Sequence, residues 1–213
     1  PQVVKNHFTK KEMVLTQDYN NKLFALNTSG ETLWSIQVNG KILGEINYID
    51  AFKNSKYQAL FNTATHLYLV DRNGENVEGF LKELPSTTKL GHSLFDYSNN
   101  RNYRICIVGE DNIIYNLDKK GTKVKGWKYS KNTNRITQNP IHFTVNGKDY
   151  ILNATKNTTS QLLARNGSAR VTFKDAHEFA NKLQINDKGE LYAITTEGKL
   201  WQGNTNGNSQ LIE

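Results

Sequence analysis

The side chains with which this sequence could do chemistry are few. Five histidines, His7, His66, His92, His142 and His177, show no pair at metal-ligand spacing, and zinc would want at least three ligands. Three aspartates, Asp50, Asp96 and Asp187, stand in comparable places in "YIDAFKNSKY", "LFDYSNNRNY" and "INDKGELY". Carboxylates flanking a sugar bond can act as acid and as nucleophile or base. Such a set needs different environments to drive the pKa values apart. An Asp recurring at one repeat position reads instead as turn chemistry, its carboxylate accepting bonds from nearby backbone N–H groups. The stretch around Asp96, with Ser98, Asn100 and Asn102, is a worn version of a calcium loop, and it offers one carboxylate where calcium wants several. From these residues no metal or cofactor is expected.

A third chemistry lies between Lys119 and Lys131, "KKGTKVKGWKYSK", where Lys119, Lys120, Lys123, Lys125 and Lys128 surround Trp127 and Tyr129. Basic and aromatic residues together grip phosphates and stack bases. The same lysines also suit the wet face of an outer strand, where they block edge-to-edge pairing. With a net charge of +7 and an isoelectric point near 9.3, the summed field favours anionic partners without selecting one. Phosphate loops, serine elbows, HExxH and CxxC patterns are missing, which argues against the common enzyme classes. Cys106, the single cysteine, sits in "YRICIVG" and reads as a buried thiol. Asn27, Asn153, Asn157 and Asn166 begin N-x-S/T triplets that composition alone explains.

What must position these residues is a repeat. Aligned on a corner glycine, "KLFALNTSGETLWSI", "HLYLVDRNGENVEGF", "NIIYNLDKKGTKVKGW", "SQLLARNGSARVTF" and "KLWQGNTNGNSQLI" place Gly30, Gly74, Gly121, Gly167 and Gly207 at 44, 47, 46 and 40 residue intervals. A period of that size marks an array of four-stranded units. Gly74, Val77, Gly79 and Phe80 match Gly121, Val124, Gly126 and Trp127 in spacing. Ahead of each corner segment lie a strong apolar run and a weaker one, each with the length and β-branched or aromatic content of a strand. Each unit thus reads as strands a, b, c and d joined by hairpins, with b and c covered on both faces and the corner glycine supplying positive φ. The units run approximately over 1–39, 40–85, 86–133, 134–174 and 175–213, as one domain spanning 1–213. No helix is required, and no apolar run is long enough to cross a bilayer as a helix.

The first copy, with Leu23, Ala25, Leu26, Asn27, Gly30, Leu33 and Trp34, resembles the PQQ-like β-propeller repeat. The whole chain is similar to WD40-like propeller segments of exported or lipid-anchored bacterial proteins. This resemblance implies an all-β fold of five four-stranded antiparallel blades about a polar channel, the alternatives being an open arc of a larger propeller or a β-sandwich. Strand a would then lie nearest the axis, bringing His92 and His142 toward the channel rim. The resemblance also implies a periplasmic or cell-envelope location. A quinoprotein's adjacent cysteines are missing, so no quinone cofactor is expected. The chain starts at Pro1 without a signal pattern, which reads as an excised piece of something longer. The expected function is a non-enzymatic scaffold binding a protein partner. A glycan-binding or glycan-cleaving propeller using His92, His142, Asp50, Asp96 and Asp187 is the alternative. Polyanion binding through the lysine-rich hairpin is another, with nucleic acid the least expected partner.

Overall fold

The computed structural model describes residues 1–129, 135–156 and 159–212. It contains five antiparallel sheets in chain order. The first is β1 (Gln2–Lys5), β2 (Glu12–Gln17), β3 (Lys22–Asn27) and β4 (Thr32–Gln37). The second is β5 (Leu43–Ile49), β6 (Gln58–Asn62), β7 (His66–Val70) and β8 (Lys82–Glu83), and the third is β9 (Ser93–Phe95), β10 (Arg104–Val108) and β11 (Ile114–Asp118). The fourth is β12 (Ile141–Val145), β13 (Lys148–Asn153), β14 (Thr159–Leu163) and β15 (Ala169–Ala176). The fifth is β16 (Gln184–Ile185), β17 (Leu191–Ile194), β18 (Leu200–Gly203) and β19 (Ser209–Ile212). No helix occurs among the described residues. Contacts gather the chain into two compact units, one of 1–111 with 115–124 and one of 112–114 with 125–213.

Within the first unit, Met13, Leu15, Leu23 and Ala25 of the first sheet bury against Ala59, Phe61, Tyr68 and Val70 of the second. The other face of the second sheet, with Leu60, Leu67 and Leu69, packs on Ile105, Ile107 and Leu117 of the third. In the second unit, Leu152, Leu162 and Phe173 of the fourth sheet meet Leu191, Ala193 and Trp201 of the fifth. With both faces packed, β6 is buried throughout, and β10 and β13 are buried almost throughout. Strands β2, β3, β17 and β18 instead alternate between buried and more exposed positions, the period-two pattern of a strand with one face on the core.

Four of the five corners close with an Asx residue, while at the fourth the Gly167 N–H donates to the Ala164 carbonyl. The Gly30 N–H donates to the Asn27 carbonyl, and Gly74, Gly121 and Gly207 do the same to Asp71, Asp118 and Asn204. The side-chain oxygens of Asn27, Asp71, Asp118 and Asn204 each accept two backbone N–H groups of the turn. An Asx residue three positions ahead of the glycine is therefore half of the corner.

The glycines themselves serve a second purpose besides positive φ. A Cβ on Gly74 would lie 2.8 Å from the Trp34 ring, one on Gly121 2.9 Å from Lys82, and one on Gly167 2.9 Å from Trp127. At Gly207 the neighbour is Val171, at 3.1 Å. The outer segment of one sheet thus lies flat on the corner of the next, an approach that only a residue without a Cβ permits. At Gly30 nothing lies within 4 Å.

Among the described residues the third sheet shows three strands, and β8 of the second is two residues long. Both repeats carry the Val-x-Gly-aromatic extension. Val77 and Val124 return a hydrogen bond to Leu69 and Asn116, after which Gly79 (φ 77°) and Gly126 (φ 78°) turn the chain again. Only isolated bridges, Val70 to Asn76 and Leu117 to Lys123, stand where strand d starts at once in the first sheet.

Comparing two glycines separates backbone freedom from close packing. Gly30→Ala meets only its positive φ (83°) and is expected to cost about 1 kcal/mol. Gly74→Ala has the same φ problem plus the Trp34 ring, and overpacking adds roughly 1–3 kcal/mol. Urea midpoints read this directly, and equal losses would show that the ring contact contributes nothing.

Candidate functional site

Sheet register builds the most developed polar site, in the second unit. Asn146 and Gly147, both at positive φ, form the two-residue turn that suits a tight hairpin. This sets Thr144 opposite Asp149 and His142 opposite Ile151. The buried Asp149 carboxylate then accepts three side-chain bonds, from His142 Nε2 at 2.7 Å, from Thr144 Oγ1 at 3.1 Å and from Arg165 Nε. Burial alone would raise its pKa, but the His142, Arg165 and Thr144 bonds outweigh that and hold it below the ordinary carboxylate range.

Beside this cluster runs a groove of about 440 Å³ between β12 and the segment around β16. His142 and Thr144 line one side, and Lys182, Gln184, Asn186 and Asp187 line the other. Two of the residues singled out from sequence, His142 and Asp187, share this groove. Asp187 is exposed, and the adjacent corner is closed by Asn186, whose Oδ1 accepts from Lys188 and Glu190. Asp149 and Arg165 were missed by sequence reasoning. The Asn-Gly turn was the available signal, since it fixes which residue faces Thr144 and His142.

The other candidates lie in the first unit or on the lysine-rich segment. Asp50 is fully buried, accepting from the backbone of Asn54 and Ser55 and from Arg101 Nη1 at 2.6 Å. Asp96 accepts from the backbone of Asn100 and Arg101. Both carboxylates close loops by bonding backbone four and five residues on. Lys120, Lys123, Lys125 and Lys128 are exposed and Lys119 is half-buried, while Lys131 falls outside the described residues. Trp127 is engaged, its Nε1 donating to the Ile114 carbonyl at 2.6 Å and its ring seated on Gly167. Cys106 is fully buried, which pushes its thiol pKa up.

His92 is buried rather than open. Asn62 donates its Nδ2 to the Thr63 and Leu90 carbonyls, so its Oδ1 faces His92 and accepts from both the backbone N–H and the ring Nδ1. The ring's other nitrogen, Nε2, faces the Asn47 Oδ1 at 2.7 Å. Burial pushes the His92 pKa down to about 4.

A testable pH dependence results. The folded pKa lies below the unfolded value near 6.5, so the unfolded chain binds the extra proton first. Stability is full above pH 6.5 and falls as the pH drops toward 4, by about 3 kcal/mol in all. Urea midpoints measured from pH 7 to pH 4.5 follow this slope, and His92→Gln flattens it. An unchanged slope in that variant would refute the assignment.

No family model and no curated protein matches the sequence. Solved structures do match. BamB from Moraxella catarrhalis superposes with a TM-score of 0.64 at 15% identity, over 98% of this chain and 62% of that one. BBS1N in complex with ARL6DN gives 0.70 at 9% identity, over 98% and 66%. The Pan2 WD40 domain of Neurospora crassa gives 0.57 at 12%, over 98% and 64%. The chain thus spans slightly under two thirds of each of these. At such identities the likeness shows fold, and the fold is that of a WD40-like β-propeller repeat protein, all antiparallel and built here from five consecutive sheets.

Proposed function

We propose that the five sheets form one propeller domain over 1–213 that serves as a non-enzymatic scaffold for a protein partner, with the groove between β12 and β16 as the contact site. One observation carries the non-enzymatic part. Two of the three aspartates singled out from sequence are committed elsewhere, Asp50 and Asp96 to loop backbone, and the carboxylate beside the groove, Asp149, is taken up by three side-chain donors. A carboxylate pair with opposed environments, which glycoside cleavage needs, is not what these bonds make. The groove offers His142, Thr144, Lys182, Gln184 and Asp187, a mix of donors and acceptors suited to a polar partner surface. The likeness to BBS1N, whose structure is of a complex with ARL6DN, supports a partner-binding role, and the cell-envelope setting is part of the same proposal. Functions reside in sites rather than folds, so the groove is where the reading stands or falls.

Glycan binding in the same groove is the second reading, favoured by its polar lining. A photo-crosslinking residue at Gln184, introduced in the native cell, separates the two. The proposal expects a discrete protein adduct that disappears when Lys182→Glu and Thr144→Arg are combined. Hydrolysis or retention of an oligosaccharide that Asp187→Asn abolishes, with no protein adduct, would overturn it. Heparin retention lost only in Lys119→Glu/Lys120→Glu/Lys123→Glu would move the contact to the lysine-rich segment.

A further inference from the structure

The first unit carries a surface that the sequence motifs did not mark. The loop between β1 and β2 and the loop between β5 and β6 meet through a hydrogen bond from the Tyr57 N–H to His7 Nδ1, 3.1 Å. At the tip of the first loop Phe8 is 72% exposed, and in the second Phe52 is 53% exposed. Neither tip is slack. Asn6 Oδ1 accepts from the backbone of Phe8 and Thr9, and its carbonyl accepts from Lys10. The second loop is closed by the buried Asp50 carboxylate on Asn54 and Ser55.

Both tips also carry strain. Lys10 (φ 62°), Lys53 (φ 58°) and Ser55 (φ 61°) occupy the left-handed region that glycine or asparagine would fill more easily. Largely exposed phenylalanines held in strained loops are a combination that points to function.

The charge around the two rings is positive. Lys10, Lys11, Lys53 and Lys56 are exposed, and the Arg72 guanidinium lies 4.7 Å from the centre of the Phe8 ring. Partial burial, and then the nearby charges of Arg72, Lys10 and Lys56, lower the His7 pKa, which places these cations around one point. Asp50, the acidic group that opposes them there, is already paired with Arg101 at 2.6 Å.

We propose that these two loops form a docking surface for an anionic lipid bilayer, with Phe8 and Phe52 entering the boundary between headgroups and acyl chains while Lys10, Lys53, Lys56 and Arg72 rest on lipid phosphates. Apolar tips ringed by lysines are the pattern that binds such an interface. Lysines supply compact, hydrated point charges suited to a diffuse layer of headgroups. Base stacking fits less well, because Arg72 already covers one face of Phe8 and the rings project from loop tips instead of lining a strand-tracking groove. This surface is independent of the β12–β16 groove.

Flotation of the full chain with phosphatidylcholine vesicles, with and without phosphatidylglycerol as about a third of the lipid, tests the proposal. Binding is expected to the anionic vesicles alone and to weaken with salt. Phe8→Ala with Phe52→Ala is expected to weaken it at least tenfold, and each of Lys10→Glu and Lys56→Glu by roughly fivefold or more. The triple change of Lys119, Lys120 and Lys123 to Glu should leave it largely intact. Should the double alanine variant fold poorly, Phe8→Trp gives a second reading, a blue shift of its emission on adding anionic vesicles. Equal binding to neutral vesicles, binding indifferent to both phenylalanines, or no vesicle binding alongside phenylalanine-dependent retention of a thymidine oligonucleotide would each overturn it.

Discussion

The seat of a bulky outer-segment side chain on the next corner glycine is the contact on which the sheet array depends. Trp34 on Gly74, Lys82 with Phe80 on Gly121, Trp127 on Gly167 and Val171 on Gly207 repeat one geometry with different chemistry. Core burial between sheets is nondirectional and would tolerate sliding. A bulky side chain seated where even a Cβ would crowd it is held more closely to one place. The corner thereby sets the stagger of adjacent sheets within each unit. That in turn fixes which residues of one strand a lie beside the next, as in the groove between β12 and β16.

Buried polar groups add specificity to this frame. Asp50, Asn62 and His92 of the first unit, and Asp149 of the second, are buried and hydrogen-bonded. Each ties a loop or a neighbouring strand to the core, where an unpaired polar atom would cost about 1–3 kcal/mol. These ties also decide what the residues are available for. A histidine whose two ring nitrogens face Asn62 and Asn47, or an aspartate closing a loop and pairing with Arg101, is no longer free to serve a substrate. The groove beside His142 and the loop tips bearing Phe8 and Phe52 remain as surfaces where side chains reach solvent in a fixed arrangement.

Strand-level organisation was legible before any coordinates. Weak, strong and corner-flanking runs correspond to β1, β2 and β3 in the first repeat and recur in every other, because alternation, β-branching and turn residues act over a few positions. The second turn of the corner was not legible: Gly79 and Gly126 take positive φ in the second and third repeats where β4 runs straight in the first. The continuous-burial expectation held for β6, β10 and β13 and not for β2 or β17. Coverage of a face depends on which sheet arrives there, and no local pattern encodes that.

The sequence by itself determined the number of repeats, their antiparallel hairpins and the positions of the corner glycines, since these follow from local backbone sterics and the period of apolar residues. Only the tertiary structure decided the fate of the polar side chains. Asp50 became a buried loop closure, His92 a neutral core imidazole, Trp127 a lid on Gly167, and His142 the partner of an aspartate seven residues away. The physical reason is that burial and hydrogen-bond partners come from segments distant in sequence, and they alone set whether a titratable group is structural or open to a ligand.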